Sequence, residues 1–591
     1  MVVLIAGGWW AAKLIWFTPF NINHFYERAF IEFALKNPEL LTTLRILEPM
    51  GLDFHNDDLN NASDAFQQEM NELVRNDLRI LQSYDRSKQS PAQLLSTEIL
   101  EWFLDDMIKG QEFQYHDYPV NQLSGEQSNL PTFMATMHVI EKQKDAENYI
   151  TRLSKFGVKF DQVLEGLRIR EQKGIIPPAF VIDKVLIEMK DFAGSKTRDN
   201  ILFTSFHEKV SKLSGIDDSE KEELFNSVEQ QISETVYPAY GRFIAYFESL
   251  KPKSTTDDGV WKLPDGDRLY NYMLRHHTTT TMTADEIHAL GLKEVERIEK
   301  EMTALLEQAG YTGKTVYEHV ENLSADPQFL FPDSDEGRKE CLLEYQKIID
   351  EIEAGISFAF DIRPKVGVKV ERIPQFKEKT SPGAYYDSPS FDGTRPGIFF
   401  ANLRDMKEIT KWGMRTLSYH EAIPGHHFQI AIQQELQGVP MFRKVVPFTA
   451  YSEGWALYTE RLAWEHGFQK EPLNNLGRLQ AEMMRAVRLV VDTGIHRKRW
   501  TREYAIDYML EKTGMAKGDV VAEIERYIVS PGQACAYKMG QLKILELREK
   551  AKQALGDRFD LRKFHNVVLV NGAMPLEILE KQVQKYIAEP M

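Results

Sequence analysis

From about residue 21 to residue 248 apolar side chains recur every three or four positions, and the alternation expected of strands is nearly missing. That period puts one apolar stripe on each helix and a charged face opposite it. Residues 64–83 and 92–107 are clear instances. A chain written this way can bury its apolar stripes only by stacking helix on helix, so the expected fold is mainly α. Pro177-Pro178 and the run KPKSTTDDGVWKLPDG at 251–266 break the pattern. We read residues 1–20 as an apolar N-terminal segment, 21–266 as a helical N-terminal region and 267–591 as a second region. The second region opens with Thr283-Ala284-Asp285-Glu286, a capping box that starts a helix running to about Gln308. The threonines at 278–281 read as a lead-in to it. Only residues 365–402 depart from helix. Val366, Val368 and Val370 alternate with polar or small residues, and Ala384-Tyr385-Tyr386 and Ile398-Phe399-Phe400 are two more β-prone runs. A small sheet is expected there.

Composition narrows the function. The 591 residues carry 72 basic and 88 acidic side chains, a formal charge of −16. That balance excludes a generic nucleic-acid binder, which needs a basic face for phosphates. Two cysteines, Cys341 and Cys535, cannot build a disulfide framework or a four-thiolate zinc site, and both read as buried. Between residues 2 and 17 the one charge is Lys13. Three readings fit this stretch: a signal anchor with Lys13 snorkelling, an atypical signal peptide, or an apolar first helix packed on the body. We prefer the anchor, hence membrane association through residues 2–17 and a place in a bacterial envelope, membrane-anchored or periplasmic.

Of 15 histidines, three fall within SYHEAIPGHHFQ, residues 418–429. The segment begins like the HExxH zinc helix, in which two histidines four apart hold the metal and the glutamate is a general base. Four residues beyond His420, however, stands Pro424. Proline cannot donate to the carbonyl four residues back, and its ring clashes with it, so the helix must break there. Gly425 eases the break. Looping out two residues brings His426 to the place of the missing ligand. His427 is the rival, but on an unbroken helix it would lie about 10.5 Å along the axis from His420, a strained bridge for one ion bound at about 2.1 Å, so His426 is preferred. His427 is therefore expected beside the site, as a contact to a ligand or to substrate. A third ligand is sought downstream. Ser452 reads as an N-cap and Glu453 as the first residue of a helix EGWALYTERLAWE. His420, His426 and Glu453 with a water make an open catalytic zinc site, one Zn²⁺ per chain. Glu460, two turns on, either supports a ligand or is a solvated carboxylate.

HEAIPGHHFQ followed by YSEGWALYTERL resembles the bacterial family known as domain of unknown function 885. So do residues 488–509, 531–544 and 564–579, and the resemblance runs from about Phe25 to the C-terminus. It implies a gluzincin-like metallopeptidase with a helical, two-lobed body similar to the thimet oligopeptidase and neurolysin group. It gives no substrate, and the N-terminal segment lies outside it.

On that footing Glu421 is expected to take a proton from the metal's water and pass it to the leaving amine. Tyr537 is the first choice for a donor to the carbonyl oxygen and His496 the second. Arg488, Asp492 and His496 are spaced i, i+4, which lets Asp492 orient His496. Lys538 reads as a solvated surface lysine, and His565 as structural. His276 and His277 have no spacing that marks a site. An exposed strand near the metal could pair with an extended peptide, with Tyr385 or Tyr386 against its side chains. The leading expectation is thus a zinc-dependent hydrolase of oligopeptides. Two alternatives use the same residues: hydrolysis of a non-peptide amide or ester, and a non-catalytic envelope protein that keeps the metal for structure. No nucleophile elbow, P-loop or dinucleotide fingerprint is present.

Overall fold

The computed structural model describes residue 13, residues 17–375, residue 378 and residues 381–589. The segment 2–17, apart from Lys13 and Phe17, lies outside the described residues. Helix makes up about 69% of the chain and strand 3%, so the fold is mainly α, as the periodicity demands. The chain divides into two compact units. The first comprises Met1–Lys88, Phe103–Asp257 and Ser390–Asp392, and the second Gln89–Trp102, Asp258–Pro389 and Gly393–Met591.

The first unit is built on the 30-residue helix Gln143–Gln172, against which Asp218–Gln231 and Tyr237–Leu250 pack. Its apolar stripe buries Phe156 and Phe160, and Phe160 meets the rings of Tyr240 and Phe243 with centroids 5.0 and 4.4 Å apart. The same helix buries Arg152. A buried guanidinium is tolerable only when its donors are used. Here they reach the carbonyl oxygens of Asp58 and His55, Thr42 Oγ1 and His138 Nδ1 at 2.6–3.1 Å.

In the second unit, helix α1 (Ala284–Gln308) starts at the expected box, with Thr283 and Glu286 capping each other. Three strands follow: β1 (Val368–Arg372), β2 (Ala384–Asp387) and β3 (Gly397–Ala401). Their order is β1-β3-β2, with β1 parallel to β3 and β2 antiparallel to it. Val366 lies just outside β1. Next come α2 (Met414–Glu421), α3 (His426–Glu435), α4 (Thr449–Glu465), α5 (Pro472–His496), α6 (Lys517–Val529) and α7 (Ala536–Leu555). Helix α4 starts at Thr449, not at Glu453: Ser452 makes no cap and lies inside the helix. Apolar contacts of Ala450 and Tyr451 extend the helix a turn earlier than the cap signal suggested.

Two helix pairs frame the centre of this unit, α1 with α5 and α4 with α7. The second pair touches backbone to backbone. A Cβ on Gly454 would meet the Gly540 backbone at 2.4 Å, and one on Gly540 would meet the Ala450 carbonyl oxygen at 1.8 Å. Glycine at both positions allows the approach, and it brings the Glu453 turn of α4 beside the Tyr537 turn of α7. Cys341 and Cys535 are both buried and free.

Candidate metal centre

Helix α2 ends at Glu421, and residues 422–425 carry the chain round to α3, which begins at His426. The Ile423-Pro424 peptide is cis. A Cβ on Gly425 would lie 1.9 Å from the His420 carbonyl oxygen, so only glycine lets this backbone pack against the end of α2. The Glu-Gly-Trp run of α4 fixes the turn from the other side. Trp455 Nε1 donates to the Pro424 carbonyl at 2.9 Å, and one turn later Thr459 Oγ1 donates to that of Tyr419 at 3.1 Å. Three consecutive residues thus do three things: Glu453 enters the site, Gly454 admits α7 and Trp455 holds the turn between the histidines.

His420, His426 and Glu453 offer ligand atoms that all lie within 4.8 Å of one another. Glu453 Oε2 is 3.2 Å from His426 Nε2 and 3.5 Å from His420 Nε2. Donors about 2.1 Å from a tetrahedral ion stand roughly 3.4 Å apart, so these spacings suit a zinc-sized cation. Glu460, buried in α4, accepts from His420 Nδ1 at 2.7 Å. That bond fixes the proton on Nδ1 and turns the Nε2 lone pair of the neutral ring towards Glu453. Glu453 Oε2, itself buried, has no hydrogen bond of proper geometry, and neither has His426 Nδ1. A carboxylate oxygen facing imidazole lone pairs needs positive charge between them, and the donor set therefore fits a divalent cation. Without one, protons fill the role. Burial opposes charge on His420, but Glu453 and Glu460 outweigh it and lift its pKa to about 9. Burial likewise opposes charge on Glu453, yet His426 and His420 hold its carboxyl well below the usual range.

Glu421 follows His420 at the end of α2 and is almost buried. Tyr537, at the start of α7, lies with its ring nearly parallel to that of His420, centroids 6.5 Å apart. Burial and the Glu453 charge raise its phenol pKa, while Arg526 and Arg488 oppose them, and the net rise keeps the hydroxyl protonated. The Arg488 guanidinium sits 4.5 Å from the Tyr537 ring centroid, within cation–π range. It is held by Tyr527 Oη at 2.9 Å and Glu523 Oε2 at 2.8 Å. Beyond the helical spacing of Arg488 nothing in the sequence points to this clamp, because Glu523 and Tyr527 come from α6.

His427 is fully buried. Its Nε2–H donates to the Val366 carbonyl at 3.0 Å and its Nδ1 accepts from Tyr386 Oη at 2.9 Å. Both nitrogens are used, which leaves no lone pair for a metal, and burial lowers its pKa to about 4. Tyr386, half-buried on β2, is thereby tied to α3, while Tyr385 points the other way and packs on Phe400 with centroids 5.1 Å apart.

Other expectations are not met. His496 is fully buried, accepts from the Val260 amide at 3.1 Å and donates to the Tyr527 carbonyl at 3.0 Å. Asp492 does not orient it: Asp492 takes the Tyr270 hydroxyl at 2.6 Å and the Gly532 amide at 3.0 Å. The i, i+4 spacing put both on one helix, but neighbouring elements claimed each side chain first. Nor is Lys538 at the surface. It is wholly buried and bonded to Glu482 at 2.6 Å and Glu294 at 3.0 Å, an amine enclosed between two carboxylates. His565 is buried between Tyr458 Oη and the Ala359 carbonyl, as a structural residue.

Residues 38–583 match the family model described as bacterial protein of unknown function (DUF885). The chain belongs to the DUF885 family. A crystal structure of a lipoprotein candidate from Colwellia psychrerythraea is 35% identical, covering 96% of this chain and 98% of its own, with a TM-score of 0.93. A lipoprotein candidate of unknown function from Shewanella oneidensis shares the fold at 18% identity, covering 95% and 100% of the two chains, TM-score 0.72. A candidate oligoendopeptidase F from Bacillus anthracis aligns with a TM-score of only 0.29 at 11% identity over 88% and 94%, too low to support an argument. Among curated proteins no sequence matches this DUF885 chain.

Proposed function

We propose that this DUF885 protein is a zinc-dependent hydrolase that cleaves peptide bonds of oligopeptides, one ion per chain. The observation that supports it most is the buried Glu453 Oε2, unbonded between two imidazoles, that of His420 oriented by Glu460, with a second carboxylate, Glu421, next in sequence to His420. A zinc ion held by His420, His426 and Glu453 would supply Lewis acidity, acidifying a water and polarising a carbonyl. Glu421 takes the proton that the attacking water loses and delivers it to the departing amine nitrogen. Tyr537, protonated at neutral pH, donates to the carbonyl oxygen as negative charge gathers there. The β2 edge, with Tyr385 and Tyr386, offers main-chain groups to an extended peptide. The lipoprotein descriptions of the relatives favour a place in the bacterial envelope.

The deciding experiment pairs elemental analysis with peptide-library digestion for wild type and Glu421→Gln. Wild type should carry about one zinc per chain, and the variant should keep it while losing roughly 10³–10⁴-fold in turnover. A variant that still digests peptides would remove Glu421 from this role. A wild type that takes up no zinc would end the hydrolase reading.

A further inference from the structure

Helix α5 buries a polar side chain on each of four successive turns: Arg478, Glu482, Arg485 and Arg488. Three of the four are closed by a short contact to a group of the opposite kind. Arg478 meets Glu482 at 2.9 Å, Glu482 also meets Lys538 at 2.6 Å, and Arg488 meets Glu523 at 2.8 Å. On those terms a guanidinium can leave water without a large penalty. Arg485 is the exception. Its Nη1 donates to the Ala481 carbonyl of its own helix at 3.3 Å, and its buried Nε has no hydrogen bond. The carboxylate it faces is that of Glu460 on α4, with Nη2 4.0 Å from Oε1.

Glu460 is incomplete in the same way. It is buried, its Oε1 accepts from His420 Nδ1 at 2.7 Å, and its buried Oε2 has no hydrogen bond. Among the described residues its ion-pair partners are His420 and Arg485 alone. A carboxylate taken out of water needs its oxygens met, and one imidazole N–H meets half of the need. Once a cation sits on His420 Nε2 the ring is a neutral ligand, and Arg485 is then the full positive charge beside Glu460. At 4.0 Å the contact acts as an attraction between charges and not as a hydrogen bond. We infer that Arg485 is a positioning residue of the metal centre. It holds the Glu460 carboxylate, and Glu460 holds the His420 ring. The grip on zinc thus depends on a side chain that touches none of the three ligands. This inference rests on the metal of the proposed reading and not on its peptide chemistry.

The test is a double-mutant cycle read as zinc affinity, by competition with a chelator, on the full-length protein. Arg485→Met keeps the apolar stem and removes the charge, and it should weaken zinc binding about 10-fold. The same substitution made in Glu460→Gln should cost less than about 2-fold, because its route to the metal is already cut. Arg485→Lys should stay within about 3-fold of wild type, since a point charge serves where no hydrogen bond is made. Should Arg485→Met fail to fold by melting curve, Arg485→Gln takes its place in the cycle with the same expectation. Unchanged affinity in a folded charge-free variant would overturn the inference. So would an equal loss in both backgrounds, which would assign the effect to packing, or a lysine variant as weak as the methionine one. A wild type that binds no zinc would overturn this inference and the hydrolase reading together. A wild type that binds zinc, with losses that simply add, would overturn this inference alone.

Discussion

His420 with His426 and His496 with Asp492 are two polar clusters in one unit, both on helices, the second wholly buried and the first partly so, and either could have been the working site on spacing alone. Their difference lies in how many polar atoms are spent. Around His496 every nitrogen has a partner, an amide on one side and a carbonyl on the other, and Asp492 is occupied by Tyr270 and Gly532. Around His420 one nitrogen is fixed by Glu460, and the other faces a carboxylate oxygen that has no hydrogen bond. Buried polar groups in folded proteins are nearly always satisfied, so an unpaired, convergent set marks a place kept for something else. The same contrast separates adjacent residues: His427 is saturated by Val366 and Tyr386, while His426 Nδ1 is unpaired.

The strongest way to break this comparison is to exchange the neighbours. His426→Ala should lose bound zinc and at least about 10³-fold in activity, whereas His427→Ala should keep most of its zinc. The opposite result by metal analysis would make His427 the ligand. Next in size is Tyr537→Phe, which removes a donor and little volume. Its kcat should fall about 10²-fold with KM nearly unchanged, as expected of a bond made mainly in the transition state. Glu460→Gln keeps the shape but weakens the hold on His420, and competition with a chelator should read a 10- to 100-fold loss of zinc affinity. The smallest effect on catalysis belongs to the saturated cluster. His496→Gln should leave kcat/KM within about 3-fold while costing about 1–3 kcal/mol of stability by thermal melting.

His496 also gives a pH test. Burial lowers its pKa from 6.5 to about 4 in the folded protein. The unfolded chain therefore binds its proton first as pH falls. The stability this residue contributes is full above pH 6.5 and is lost between there and about pH 4. Melting curves of His496→Gln should be flatter than those of wild type across that window.

Much of the site was legible because its signals are local. Pro424 and Gly425 break a helix wherever they stand, and the break brings His426 to His420 and Glu453, as the spacing suggested. Glu453 was legible as a ligand candidate although its helix begins earlier than the Ser452 signal indicated, since packing of Ala450 and Tyr451 overrode a local cap. Lys538 and His496 were misread for a common reason. Whether a charged or polar side chain is solvated, paired or poised depends on groups hundreds of residues away, such as Glu294 for Lys538 and Val260 for His496.

By itself, the sequence determined a helical body with one small sheet, the capped start of α1, the broken helix at Pro424 and the identity of the three convergent ligand candidates. These follow from backbone sterics and periodicity, which act over a few residues. Only the tertiary structure decided that Glu460 holds His420, that Gly454 and Gly540 let α4 and α7 touch, that Arg488 lies on Tyr537, and which histidines are spent. Those outcomes rest on hydrogen-bond partners and close approaches between distant segments, and no local rule of the chain specifies which segments will meet.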